Sequence, residues 1–159
     1  MKAFHGSPCL FDRFDAAKLG VRRPGSEGHG VYLAAQRNVA AAYGGYCYEV
    51  SIPEGVYLDN DSLCEHQSEP ARTLLLEALS RQKGYNRFRL DNAANQDIYT
   101  QVGQLLVCCR KDGVPLEPVL IAAGYVGCKR QNPGWLEFVV FDPAHLRIVS
   151  VSTPLKRAA

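Results

Sequence analysis

The chain lacks the features that would settle a function quickly. No window approaches the roughly 18 unbroken apolar residues that a membrane-crossing helix needs, which excludes an ordinary helical membrane protein. Neither sign of charge dominates: 18 Lys and Arg face 16 Asp and Glu, a formal net charge of +2. That balance, dispersed along the chain, is too weak for the electrostatic footprint of a nucleic-acid binder. The start, Met1-Lys2-Ala3-Phe4-His5, reaches a histidine before any apolar stretch of signal-peptide length, so a cytoplasmic protein is expected. Cys9, Cys47, Cys64, Cys108, Cys109 and Cys128 contain no CxxC or CxH pair at zinc spacing, and without export they read as six reduced thiols. His5, His29, His66 and His145 are too separated to suggest a metal site. The nucleophile-elbow, phosphate-loop and HExxH signatures are all missing. Gly25-Ser26-Glu27-Gly28-His29-Gly30 has the wrong glycine spacing for a dinucleotide turn.

What is present is enough for one compact domain over residues 1–159. Apolar types make up 47% of the chain, with 8 Tyr and 6 Phe, so a core can form. Tyr46, Tyr48, Val50 and Ile52 alternate with Cys47, Glu49 and Ser51, which predicts a half-buried strand ending at Pro53. Residues 138–141 and 146–151 are two β-rich runs joined across Asp142-Pro143, which suggests a strand pair near the C-terminus. Residues 2–5 and 30–33 are two further short strand candidates. Between these ends the period changes. Ser68 can cap a helix with Pro70 in its first turn and Leu75, Leu76 and Leu79 on one face until Gly84. Ile98, Val102, Leu105, Leu106 and Cys109 follow a second helical stripe, residues 118–123 form a short helix halted by Gly124, and residues 36–43 form an Ala-rich one. Strands at both ends with helices between them predict an α+β fold.

Three local clusters combine a polar group with small residues beside a strand. The first is Phe4-His5-Gly6-Ser7, where the glycine permits close approach to the backbone. The second is Gly30-Val31-Tyr32-Leu33-Ala34, followed by Ala42-Tyr43-Gly44. In the third, Trp135-Leu136-Glu137-Phe138-Val139-Val140-Phe141-Asp142-Pro143, Glu137 sits in an otherwise apolar strand. Taken singly, each also reads as ordinary packing, loop bonding or a solvated strand end. Asp142, before Pro143, reads as a turn residue.

In this order and with these neighbours the chain resembles ADP-ribosyltransferases of the His-Tyr-Glu class, most of all the compact domains of phages and mobile elements, including those in polyvalent proteins. Asp97-Ile98-Tyr99 through Leu105-Leu106 looks like their helical insert, and Gly124-Tyr125-Val126-Gly127 like their strand entry. The resemblance implies two small packed antiparallel sheets with NAD, as co-substrate, held between them. It implies that Glu137, Tyr32 and His5 are catalytic and that His5, Gly6, Ser7, Tyr32 and Tyr43 bind NAD. His5 would bond ribose hydroxyls with one donor and one acceptor, Gly6 would present backbone to the carboxamide, Tyr32 and Tyr43 would flank the nicotinamide, and Glu137 would face the developing sugar cation. The activity implied is mono-ADP-ribosylation of a macromolecular acceptor, a protein, as in a phage- or effector-type inhibitor of a host machine. Two alternatives stay open: NAD glycohydrolysis, and a catalytically silent binding module. Many members carry an acidic residue or glutamine two positions before the glutamate; Trp135 stands there, so an arginine-directed acceptor is not expected. Trp135 and Leu136 could instead pack against an apolar part of the target.

Overall fold

A computed structural model describes residues 1–19, 28–62, 66–80 and 116–153. Among these the chain is α+β. Seven strands run in the order β4-β5-β6-β2-β1-β3-β7, with β1 at Lys2–Ser7, β2 at Val31–Ala34, β3 at Tyr46–Ser51, β4 at Val56–Asp59, β5 at Tyr125–Asn132, β6 at Trp135–Val140 and β7 at Arg147–Ser152. The helices are α1 (Arg37–Ala41), α2 (Glu69–Ser80) and α3 (Glu117–Ala122). All neighbouring strands are antiparallel except β4 and β5, which are parallel.

The strongest alternation in the sequence forms a strand at the place expected. Residues 46–52 are β3 and its continuation, and both of its faces are covered: Tyr48 and Val50 lie in one cluster, Cys47 in another. The expected C-terminal strand pair is corrected. β6 lies between β5 and β2, whereas β7 lies beside β3 at the far edge. Both edges of β6 are occupied, and the short connection instead makes a 3-10 turn (Pro143–His145) in which the Asp142 carboxylate accepts from the Ala144 N–H at 2.9 Å. Asp142 is thus a turn residue. At the helix ends, Gly124, at φ 93°, receives the end of α3 and donates its N–H to the Ile121 carbonyl at 2.9 Å. Ser68 precedes α2, but its hydroxyl meets the Tyr125 hydroxyl at 2.9 Å. Gly84, the stripe from Ile98 to Cys109, the side chain of Leu79, and Cys64, Cys108 and Cys109 lie outside the described residues. Cys9, Cys47 and Cys128 carry no disulfide. Among the described residues no helix is long and apolar enough to cross a membrane.

Two features of the sheet position the functional side chains. The first is a seam at its centre. β1 and β3 pair along their whole length, and β2 pairs with β6 along all four of its residues, but β1 and β2 share only the pair Phe4 and Ala34. Continued register would bring Gly6 opposite Tyr32; the strands part first. The second is how side chains divide between faces. Ala3, Val31, Leu33, Tyr48, Val50, Phe138 and Val140 make one cluster that draws on strands from both sides of the seam. The opposite face bears the helices in two groups. Leu58, Cys128 and Val139 pack with Ala71, Leu75 and Leu120 of α2 and α3, while Ala34 and Cys47 pack with Ala40 of α1, Phe4 and Trp135. Pleat alternation therefore puts Glu137, between Trp135 and Val139, on the helix-bearing face between these two groups.

β7 closes the sheet with an irregularity. Glu49 pairs with Ser150 but Val50 pairs with Ile148, so Val149 is an extra residue in the ladder.

Leu58 is fully buried in the cluster under α2 and α3. Leu58→Ala should lower stability by about 2–5 kcal/mol, the usual range for emptying a leucine site in a packed core. The measurement is a shift of the urea midpoint with an unchanged slope.

Candidate functional site

The parting of β1 and β2 opens a cleft of about 260 Å³, lined by Phe4, His5, Gly6, Tyr32, Leu33, Ala34, Ala40, Tyr43, Trp135 and Glu137. Five of the six residues singled out in the sequence therefore meet at one place: His5, Gly6, Tyr32, Tyr43 and Glu137. Ser7 is the exception. It is buried outside the lining, and its hydroxyl accepts from the Cys9 N–H at 3.1 Å in a local turn.

His5 reaches the cleft because of the seam. Its backbone pairs with Tyr48 on one side. On the other side, where a ladder bond to β2 would stand, its ring Nδ1 lies 2.8 Å from the Tyr32 carbonyl oxygen. A carbonyl can only accept, so Nδ1 carries the hydrogen. Burial holds the His5 pKa below its ordinary 6.5, with the bond to Tyr32 acting weakly the other way. Burial therefore favours the neutral imidazole, in which Nε2 is the bare acceptor. This changes the role expected from the sequence: the donor of His5 is spent inside the protein, and its ring packs against Phe11, Phe14 and Tyr48 on the face of the sheet opposite Glu137.

Tyr32 is fixed in turn. Its ring packs against the cluster under α2 and α3, and its hydroxyl donates to the Gly28 carbonyl at 2.9 Å. Tyr43 follows α1 and is 67% exposed, so it forms a rim rather than a wall. Gly6 is required for a reason other than ligand approach: a Cβ there would fall inside the contact radius of the Ala40 carbonyl oxygen. The absent side chain lets α1 sit directly on β1 and form one side of the cleft.

Glu137 is half-buried opposite Ala34 on β2 and Arg130 on β5. Burial pushes its carboxyl above the ordinary 4.5, while the Asn132 side chain, whose Nδ2 donates to Oε2 at 3.5 Å, and the charge of Arg130 pull it back. Asn132 and Arg130 were not anticipated. The signal existed: Asn132-Pro133-Gly134-Trp135 is a two-residue hairpin with Gly134 at φ 81°, and such a turn sets Asn132 opposite Trp135 and Arg130 opposite Glu137. Leu136, beside Glu137, donates its N–H to Gln36 Oε1 at 3.2 Å, tying the start of α1 to β6. The site is thus lined by His5, one carboxylate and several aromatic or apolar walls.

No family model and no curated protein matches the chain. Among solved structures, a crystal structure described as that of an anti-CRISPR protein aligns over 94% of this chain and 95% of its own, at 14% identity and a TM-score of 0.49.

The geometry makes two outcomes testable. Gly6→Ala should displace α1 and destabilise by about 1–3 kcal/mol or more, as overpacking does, read as a lower urea midpoint. Glu137→Gln should stabilise the protein at neutral pH. A carboxyl whose pKa is raised on folding adds stability below its unfolded value of 4.5 and loses it as pH rises through the folded value. The melting temperature of Glu137→Gln should therefore exceed that of the parent at pH 7–8, with the gap closing toward pH 4.

Proposed function

We propose that the chain is an NAD-dependent mono-ADP-ribosyltransferase that modifies a protein in the cytoplasm, in the manner of a phage- or effector-type inhibitor. The observation that carries this reading is the meeting of His5, Tyr32 and Glu137, drawn from distant parts of the chain, in one cleft with Gly6 and Tyr43. The single-pair seam between β1 and β2 supports a finer reading of the fold, in which the sheet is split around the site into β4-β5-β6-β2, which carries one parallel pair, and the antiparallel β1-β3-β7.

The residues suit the substrate chemically. The volume, about 260 Å³, lies just below the 300–1,000 Å³ of complete small-molecule pockets, so the cleft takes the nicotinamide-riboside half of the dinucleotide. Tyr32 offers a ring face held by its hydroxyl, and a cationic nicotinamide over an aromatic face gains about 0.5–2 kcal/mol. Nε2 of His5 accepts from a ribose hydroxyl. In the reaction the C1′–N bond breaks with its electron pair leaving on nicotinamide, the acceptor's nucleophile bonds C1′, and that nucleophile loses its proton. Positive charge grows on the sugar during this exchange. An anion fixed nearby stabilises that charge more than it stabilises neutral ribose, which raises the rate rather than affinity alone. Glu137 is that anion. Its partial burial raises the electrostatic yield, and Asn132 and Arg130 keep it ionised enough to act.

The experiment is incubation of the protein with labelled NAD and host lysate, followed by mass spectrometry for added ADP-ribose. Labelled protein should appear, and Glu137→Gln should slow labelling by about 10²–10³, the usual loss when one preorganised electrostatic partner is removed. Steady nicotinamide release without labelled protein would replace transfer by hydrolysis; neither product would overturn the enzymatic reading.

A further inference from the structure

The aromatic residues around His5 form a device that the proposed reaction does not use. Segment 9–14 crosses the face of the sheet opposite the helices, where the Tyr48 side chain fastens it. Tyr48 is fully buried on β3. Its hydroxyl accepts from the Phe11 N–H at 2.7 Å and donates to the Cys9 carbonyl at 3.1 Å, so both functions of the hydroxyl are satisfied by the segment. Phe11 stacks on the Tyr48 ring with centroids 4.1 Å apart at 15°. Phe14 then meets Phe11 edge-on at 5.1 Å.

His5 lies inside this arrangement. Its ring is 5.3 Å from Phe14, 6.1 Å from Phe11 and 6.3 Å from Tyr48, at steep angles to the two Phe rings. The remaining contact is the Tyr32 carbonyl at Nδ1. A neutral imidazole free to turn exchanges its proton between both nitrogens, and one hydrogen bond restrains it only while the ring stays aligned. Three aromatic neighbours supply the alignment, and the segment bearing two of them is held in place by Tyr48.

We propose that Tyr48 is a positioning residue: by fastening segment 9–14 as a strap over His5, it holds the imidazole as the Nδ1–H tautomer, with Nε2 left as the bare acceptor. Tyr48 does not itself line the cleft and acts through His5. The consequence for substrate rests on the transferase reading; the tautomer does not.

The test reads both. In ¹⁵N-labelled protein at pH 8, long-range ¹H–¹⁵N correlations, with the His5 signals identified by their loss in His5→Gln, should show Nδ1 protonated and Nε2 bare. Tyr48→Phe keeps the stacked ring but removes both hydrogen bonds; it should give a mixture of tautomers at His5. Its KM for NAD should rise about tenfold with kcat nearly unchanged, the pattern of lost uniform binding. Phe14→Leu, which leaves Tyr48 intact and removes the closest ring, should shift the tautomer in the same direction and decides the matter if Tyr48→Phe does not fold. His5 protonated at Nε2 in the parent, or a folded Tyr48→Phe or Phe14→Leu in which His5 keeps the Nδ1–H form, would overturn the proposal. A parent protein that neither binds nor consumes NAD would overturn the transferase reading and leave the tautomer result to judge the strap.

Discussion

The architecture turns on one hydrogen bond, from the imidazole of His5 to the carbonyl of Tyr32. It stands where the ladder between β1 and β2 stops after a single pair. Two strands that part in the middle of a sheet leave backbone donors and acceptors facing a gap, and buried groups of that kind are costly unless something answers them. A side chain answers here. Because it is an imidazole, the answer has a second nitrogen, which is left as an acceptor when Nδ1 carries the hydrogen. The seam and the candidate site are the same feature seen from two directions.

The rest of the site depends on what is packed on either side of that gap. α1 approaches β1 closely because Gly6 has no side chain, while α2 and α3 pack against β4, β5 and β6. Glu137 lies between these two groups on β6, and burial moves its proton affinity upward as it moves that of His5 downward. Both groups are thus drawn toward neutrality by the same dry surroundings. Asn132 and Arg130, which the β5–β6 hairpin delivers, pull the carboxyl part of the way back toward its charged form.

Much of this was legible in the sequence, and the parts that were not have physical reasons. β3 was clear because Tyr46, Tyr48, Val50 and Ile52 alternate without interruption. His5, Tyr32 and Glu137 each stood out only in company: each lies on a strand with a glycine or a turn nearby, and nothing in spacing alone brings them together. β4 was missed because four residues are too few for a period, and β5 was anticipated only at its entry, Gly124-Tyr125-Val126-Gly127, because Lys129-Arg130-Gln131-Asn132 has no apolar alternation. Those residues form a strand through pairing with β6, an interaction remote from their own propensity. The neighbour relations of β6 and β7 were misjudged for a related reason: sequence adjacency favours pairing, but β6 had both edges taken. The apolar residues at 11 and 14 carry no period at all, and only the fold shows that Phe11 and Phe14 enclose His5.

The extra residue in β7 has a consequence beyond the site. A sheet that stops at a straight strand offers evenly spaced donors and acceptors to any passing chain. Val149 breaks that spacing on the outermost strand, so an incoming strand would fall out of step after two or three bonds. Growth of the sheet by self-association is thereby discouraged on this side, and Val149 and Val151 can stay at the surface without serving as a template for fibrils.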